Sequence, residues 1–131
     1  LFVLFRDILN EADEANKVDI QKLRNEVAQE VLYFSTDEVV KRHLHTLNMN
    51  VTEYSNAVQN GMRGDKLCVH FLARRAKTNV ELRSYHDPFF KETYPVKPNE
   101  VDDKIEYDDN LVVLYVHEYG KGLRFYHLIE R

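Results

Sequence analysis

The side chain in this sequence best suited to covalent chemistry is the thiol of Cys68, the single cysteine of the chain. A thiolate is a strong nucleophile, and in many enzymes an imidazole accepts the proton of the thiol. His70 is close in sequence, but two residues that are two positions apart on a helix point about 200° away from each other. The two side chains therefore cannot form a nucleophile–base pair. We predict that Cys68 is a small buried helix residue.

A metal site would need several ligands on one face of the fold. His43 and His45 stand two residues apart in a predicted helix, and no third ligand accompanies them at a metal-binding spacing. We therefore predict that both are surface histidines, and we expect neither a metal nor a cofactor.

The charge of the chain argues against a nucleic-acid-binding protein. It has 18 basic and 22 acidic residues and a formal net charge of -4, whereas phosphate binding requires a concentrated basic face. A local basic cluster of Arg74, Arg75 and Lys77 fits two interpretations. It is either a small patch for an anion or a partner, or a helix C-terminus whose dipole favours cations.

Length and composition predict one globular domain over residues 1–131. Hydrophobic residues make up 44% of the chain and charged residues 31%, as in ordinary soluble domains. A lone cysteine excludes an intrachain disulfide, which favours the cytoplasm or the nucleus. No apolar run reaches the roughly 18 to 20 residues that cross a bilayer, so we expect no membrane association. Because the sequence starts with an apolar run and no Met, we expect it to be a fragment of a longer protein.

Five helices are predicted in the first part of the chain. These helices must position the side chains of any site. Apolar residues recur at helical spacing from Leu1 to Ala12 and again from Val18 to Phe34. Ser35 with Glu38 forms a possible capping box for a third helix, and Thr52 is a possible cap for a fourth. Asp65 is the predicted N-cap of a fifth helix, which should be largely buried.

Strands are predicted in the last part. Asn79 to Tyr85 alternates with period two, and Leu111 to His117 and Leu123 to Ile129 are β-rich runs that form a hairpin. We interpret His86 to Asp109 as a long loop, with Phe89, Phe90 and Tyr94 as exposed aromatic residues that mark a contact surface. The predicted class is α/β of the α+β type, with about five helices packed on a small C-terminal β-sheet.

Three segments, in this order, resemble the ovarian-tumour (OTU) family of cysteine proteases that cleave ubiquitin. Val3-Leu4-Phe5-Arg6-Asp7-Ile8 is similar to the family's nucleophile motif, in which Cys is followed by Leu-Phe-Arg-Ala. Tyr54 to Ala73 contains Gly-x-x-Gly-Asp-Lys-Leu, although Arg63 replaces the family's Trp. Leu111 to Tyr115 and Arg124 to Ile129 resemble the last two strands. The resemblance implies a papain-type fold.

The resemblance also implies that the catalytic residues have been lost. Val3 stands at the position of the cysteine, and Phe125 stands at the position of the histidine. A valine cannot be deprotonated and forms no thioester, so either replacement should abolish acyl transfer. His127 is two positions from Phe125, on the same face of the predicted strand. The candidate binding cleft consists of Val3, Arg6, Gly64, Asp65, Phe125 and His127.

The function that follows from the resemblance is that of a pseudo-deubiquitinase, a non-catalytic module for protein interaction or scaffolding. Its expected partner is another protein, either ubiquitin or a second copy of the chain in a homodimer. The alternative is an active deubiquitinase whose nucleophile lies upstream of Leu1 or at a shifted alignment. A third hypothesis is an unrelated α/β domain, which would lack a final strand passing the N-terminus of the first helix.

Overall fold

The computed structural model describes residues 1–96, 111–119 and 123–130. Within these ranges the chain forms five helices followed by four strands, so the predicted α+β class is confirmed. The helices are α1 (Phe2–Ala12), α2 (Ile20–Tyr33), α3 (Glu38–Leu47), α4 (Val51–Gln59) and α5 (Lys66–Ala76). The strands are β1 (Asn79–Ser84), β2 (Lys91–Tyr94), β3 (Leu111–Tyr119) and β4 (Leu123–Glu130).

Side-chain caps begin four of the helices. Asp19 starts α2, and Asp65 starts α5 by accepting the backbone N–H of Cys68, as predicted. Two predicted caps were wrong. The N-cap of α3 is Asp37 rather than Ser35, and the N-cap of α4 is Asn50 rather than Thr52, with a complete capping box to Glu53. In both places the observed cap is an Asp or Asn side chain two residues away from the predicted hydroxyl residue.

The four strands form one mixed sheet in the order β2-β1-β3-β4. Strand β1 pairs parallel with β3 and antiparallel with β2, and β3 pairs antiparallel with β4 as the predicted hairpin. The parallel pair places the hairpin beside β1, and β4 is therefore the edge strand on the side of the sheet opposite β2.

A single hydrophobic core joins the helices to the sheet. Its largest fully buried side chains include Tyr54, Phe5, Leu23, Leu67 and Leu114. Helix α5 is buried along most of its length, as predicted, and lies between the other helices and the sheet. Helix α5 therefore connects the helical layer to the sheet.

The predicted long loop is partly wrong. Residues Lys91–Tyr94 form β2, a strand that the sequence analysis missed. Tyr94 is buried and Phe90 is partly buried beneath the Lys66 ammonium group, so neither is an exposed aromatic residue. Phe89 is 94% exposed, as expected. Residues 97–109 of the predicted loop and the turn at 120–122 lie outside the described residues.

No helix in the described part of the chain is long and apolar enough to span a bilayer.

Candidate functional site

The N-terminus of α1 and the final strand meet at a small cavity, which we call the α1–β4 cleft. It has a volume of about 290 Å³. Its walls are formed by Leu1, Phe2, Val3, Ile20, Arg24, Arg63, Gly64 and Tyr126. Two residues of the predicted cleft, Val3 and Gly64, are thus brought together. The cleft is open to solvent at Val3, which is 48% exposed.

Among the described side chains of β4, Tyr126 lines the cleft together with Val3. The ladder pairs Tyr126 with Val116 and Phe125 with His117. The side chains of Phe125 and His127 lie outside the described residues, and their predicted roles stay predictions. Arg6 does not line the cleft and forms an ion pair with its neighbour Asp7.

Arg24 on α2 ties the elements around the cleft together. Its guanidinium donates hydrogen bonds to the carbonyl oxygens of Val58, at 3.0 Å, and Met62, at 2.7 Å. It also lies 4.3 Å from the centre of the Phe2 ring, a cation–π contact with the first turn of α1. One side chain therefore fixes the end of α4, the connection to α5 and the start of α1.

Gly64 is a close-contact position between that connection and α1. A Cβ atom at Gly64 would lie 2.5 Å from Cδ2 and 2.9 Å from Cβ of Leu1. Distances this short are steric clashes, so Leu1 would have to move to accommodate a side chain at residue 64. The glycine is required by packing against Leu1, and not by an unusual backbone angle.

Asp65, next to Gly64, is the centre of a polar network. Its Oδ1 accepts a hydrogen bond from the Tyr54 hydroxyl at 2.5 Å and another from the backbone N–H of Cys68 at 3.1 Å. Its Oδ2 lies 2.8 Å from Nε2 of His43. The network joins α3, α4 and α5. His43 was predicted to lie on the surface, and this prediction was wrong because the residue is packed against Asp65. His45 is exposed, as predicted.

The network keeps Asp65 charged. Burial by itself raises the pKa of this carboxyl group, but the hydrogen bonds from His43, Tyr54 and the Cys68 N–H outweigh it and lower the pKa below its usual value. A carboxylate only accepts hydrogen bonds. Tyr54 therefore donates its single proton to Asp65, and burial together with the neighbouring Cys68 and Asp65 raises the pKa of the phenol.

Cys68 is held as a neutral thiol at the end of this network. Its Sγ lies 3.3 Å from the Tyr54 oxygen, and because the phenol proton goes to Asp65, the thiol is the donor in this contact. Burial and the negative charge of Asp65 raise the pKa of Cys68 to about 12. The side chain is fully buried, as predicted. The chain's single thiol is thus neither ionised nor accessible.

Two members of the basic cluster at the end of α5 are engaged by neighbouring side chains. Arg75 pairs with Glu26 at 2.9 Å, and the Arg74 guanidinium stacks 4.4 Å from the Phe34 ring centre. Lys77 ends the helix in the left-handed conformation. These contacts favour the interpretation of a solvated helix C-terminus. Among the described residues no group of three or more His, Cys, Asp or Glu could hold a metal ion.

No family model matches the chain, and no similar protein was found among the curated proteins or the solved structures.

The sequence analysis missed two members of the network, His43 and Tyr54. Asp65 was predicted as a cap because capping depends on neighbouring residues. His43 is 22 positions and Tyr54 is 11 positions from Asp65, so their contacts exist only after α3, α4 and α5 pack. One local signal was available: a Tyr on the buried face of a helix needs a hydrogen-bond partner for its hydroxyl group.

Proposed function

We propose that this chain is a catalytically inactive OTU-like domain that works as a protein-interaction module. The observation that carries the proposal is the α1–β4 cleft, a cavity lined both by Val3 in the first turn of α1 and by Tyr126 of the final strand. In the OTU resemblance this is the place of the nucleophile. An enzyme of that class needs a thiol at the start of this helix, where the helix dipole lowers its pKa.

The chemistry of the described residues also supports a non-catalytic role. Val3 offers no lone pair and no exchangeable proton. Cys68 belongs to the core, beneath Tyr54, and its raised pKa of about 12 disfavours the thiolate at neutral pH. A second thiol does not exist in the chain. A cleft without a nucleophile suits recognition without cleavage.

The cleft is suited to a protein partner because it combines apolar walls with cations. Leu1, Phe2 and Ile20 give apolar surface, and Arg24 and Arg63 stand beside them. Ubiquitin is the partner that the OTU resemblance suggests, and a second copy of the chain is the other candidate. Both would cover the exposed Val3.

The proposal is tested with ubiquitin propargylamide, which forms a covalent bond with the nucleophilic cysteine of a deubiquitinase. We expect no adduct by intact-mass spectrometry, with either this chain or the full-length protein that contains it. An active OTU enzyme treated in parallel is the positive control. An adduct on this chain would overturn the proposal, and an adduct formed only in the full-length protein, on a cysteine next to this domain, would favour the alternative of an active enzyme.

A further inference from the structure

A second and larger cavity lies between α3 and the N-terminal half of α5. We call it the α3–α5 groove, and its volume is about 630 Å³. Its apolar wall consists of Val39, Leu47, Met49, Met62, Leu67 and Val96. It meets the α1–β4 cleft at Arg63 and Gly64, which line both. A volume of this size accommodates a few side chains of a bound peptide.

His70 supplies a hydrogen-bond donor in the wall of this groove. The residue is only 4% exposed, and its Nδ1 accepts the backbone N–H of Val96 at 2.9 Å. An Nδ1 that accepts cannot carry a proton, so the neutral ring has its proton on Nε2. Burial, with Arg74 close by, lowers the pKa of His70 to about 4 and keeps the ring neutral.

The Nε2–H group of His70 has no acceptor among the described residues, although the side chain lines the groove. The Nε2 atom is not fully enclosed, so solvent in the groove reaches it, and a ligand that fills the groove must therefore offer an acceptor to this donor. An oxygen atom of a ligand in the groove would satisfy it. The ligand should therefore present a carbonyl or carboxylate oxygen next to an apolar group.

The charges around the groove favour a negatively charged ligand. Arg42, Arg63 and Lys66 line it, and Asp65 is the one carboxylate among the described residues of its walls. The oxygens of Asp65 are already engaged by His43, Tyr54 and the Cys68 N–H. Lys66 is paired with Glu92, whereas Arg42 has only a long, exposed contact of 3.9 Å with Glu38.

We propose that the α3–α5 groove binds an extended acidic segment of a partner protein, with one apolar side chain on the methionine- and leucine-lined wall and an oxygen on His70. The proposal rests on the proposed function of the chain as a protein-interaction module. Methionine side chains adapt their shape to a bound apolar group. The acidic residues of the segment lie next to Arg42 and Arg63. These two cations line the groove although the net charge of the whole domain is negative.

The test is a selection of random dodecapeptides displayed on phage, with the immobilised chain as target and the Arg42→Glu variant for counter-selection. Arg42 is highly exposed, so this variant should fold. We expect selected peptides that carry Asp or Glu next to Leu, Ile, Met or Phe. The best peptide is then labelled with fluorescein, and its affinity is measured by fluorescence polarisation for the wild type and three variants.

Arg42→Glu should weaken binding of that peptide about fivefold or more, the effect of roughly 1 kcal/mol at a charged rim. Lys41→Glu is the matched control, because Lys41 is exposed on the same helix but does not line the groove. It should change the affinity less than about twofold. His70→Phe should also weaken binding, and a dispersed amide NMR spectrum verifies that this variant is folded.

Selected peptides that are basic or lack an apolar residue would overturn the groove assignment. So would equal losses for Arg42→Glu and Lys41→Glu, or a selection that yields no peptide that distinguishes wild type from Arg42→Glu. A ubiquitin propargylamide adduct would instead overturn the proposed function, and the peptide selection is unaffected by that result. The two failures are therefore distinguishable.

Discussion

At the residue scale, Asp65 does two tasks with one carboxylate. It caps α5 through the Cys68 N–H, and it binds His43 of α3 and Tyr54 of α4. Hydrogen bonds to a charged group contribute about 1.5–3 kcal/mol, more than a helix cap alone. The same network fixes Cys68 as a neutral donor. Cys68, the side chain best suited to covalent chemistry, is therefore a structural residue.

The charge of Asp65 predicts a pH dependence of stability. Its pKa is lowered in the folded chain, so the stabilisation is present above the unfolded-state pKa of about 3.9 and is lost as the pH falls through the folded-state value. Asp65→Asn should lower the free energy of unfolding by about 1.5–3 kcal/mol at pH 7. The difference from wild type should shrink below about pH 4.

Urea unfolding at pH 7, 5 and 3 measures this difference. Glu14→Gln, at an exposed position, is the control for the loss of one acidic group and should be nearly neutral throughout. A difference between wild type and Asp65→Asn that stays constant over this pH range would contradict the network described here.

The burial of Cys68 predicts that its thiol is inert in the native state. Ellman's reagent should not react with the folded wild type at pH 8 and should titrate one thiol after unfolding in guanidinium. The V3C variant is the matched control, because residue 3 is exposed in the α1–β4 cleft, and it should react with one equivalent while folded. Rapid reaction of the native wild type would show that Cys68 is accessible.

At the element scale, the start of α1 is held against the connection between α4 and α5. Arg24 donates hydrogen bonds to the carbonyl groups of Val58 and Met62. Gly64 has no side chain and so allows Leu1 to pack against the connection. The position of Val3 in the cleft depends on both contacts. The Gly-Asp pair at 64 and 65 thus aligns α1 through the glycine and begins α5 through the aspartate.

Gly64→Ala should therefore lower the free energy of unfolding by about 1–3 kcal/mol, the usual cost of overpacking. The double variant with Leu1→Ala should recover a large part of this loss, because the 2.5 Å contact is with Cδ2 of Leu1. Thermal unfolding of the wild type, the two single variants and the double variant gives the coupling energy. If the losses of the two single variants simply add in the double variant, the contact between residue 64 and Leu1 is not the cause of the destabilisation.

The elements differ in how far the sequence predicts them. The five helices follow from apolar spacing and from caps, both of which act over a few residues. The four-residue strand β2 has no alternation to detect, and its place is fixed by pairing Val80 with Tyr94 and Arg83 with Lys91. Glu81 stabilises the same pair of strands through Lys91, at 2.9 Å. Such pairing across the sheet cannot be derived from local sequence.

At the scale of the whole molecule, two cavities meet at Arg63 and Gly64, and they were predicted to different degrees. The α1–β4 cleft was expected in part, because a motif linked Val3 to Gly64 and to the last strand. On the last strand Tyr126 lines the cleft, and the expected position of Phe125 there stays a prediction because its side chain lies outside the described residues. The α3–α5 groove was not predicted as a separate site. Gly64 and Asp65 were assigned to the other cleft, and most of the remaining walls come from residues between 39 and 96 that lie outside the quoted motif.

The most direct test of the interaction-module account is a titration of unlabelled ubiquitin into the isotope-labelled domain, followed by two-dimensional NMR. The account predicts localised shift changes for the amide groups of Val3, Gly64 and Tyr126 around the α1–β4 cleft, and it predicts their reduction in a Val3→Arg variant. A spectrum that stays unchanged at millimolar ubiquitin would contradict ubiquitin recognition by this cleft.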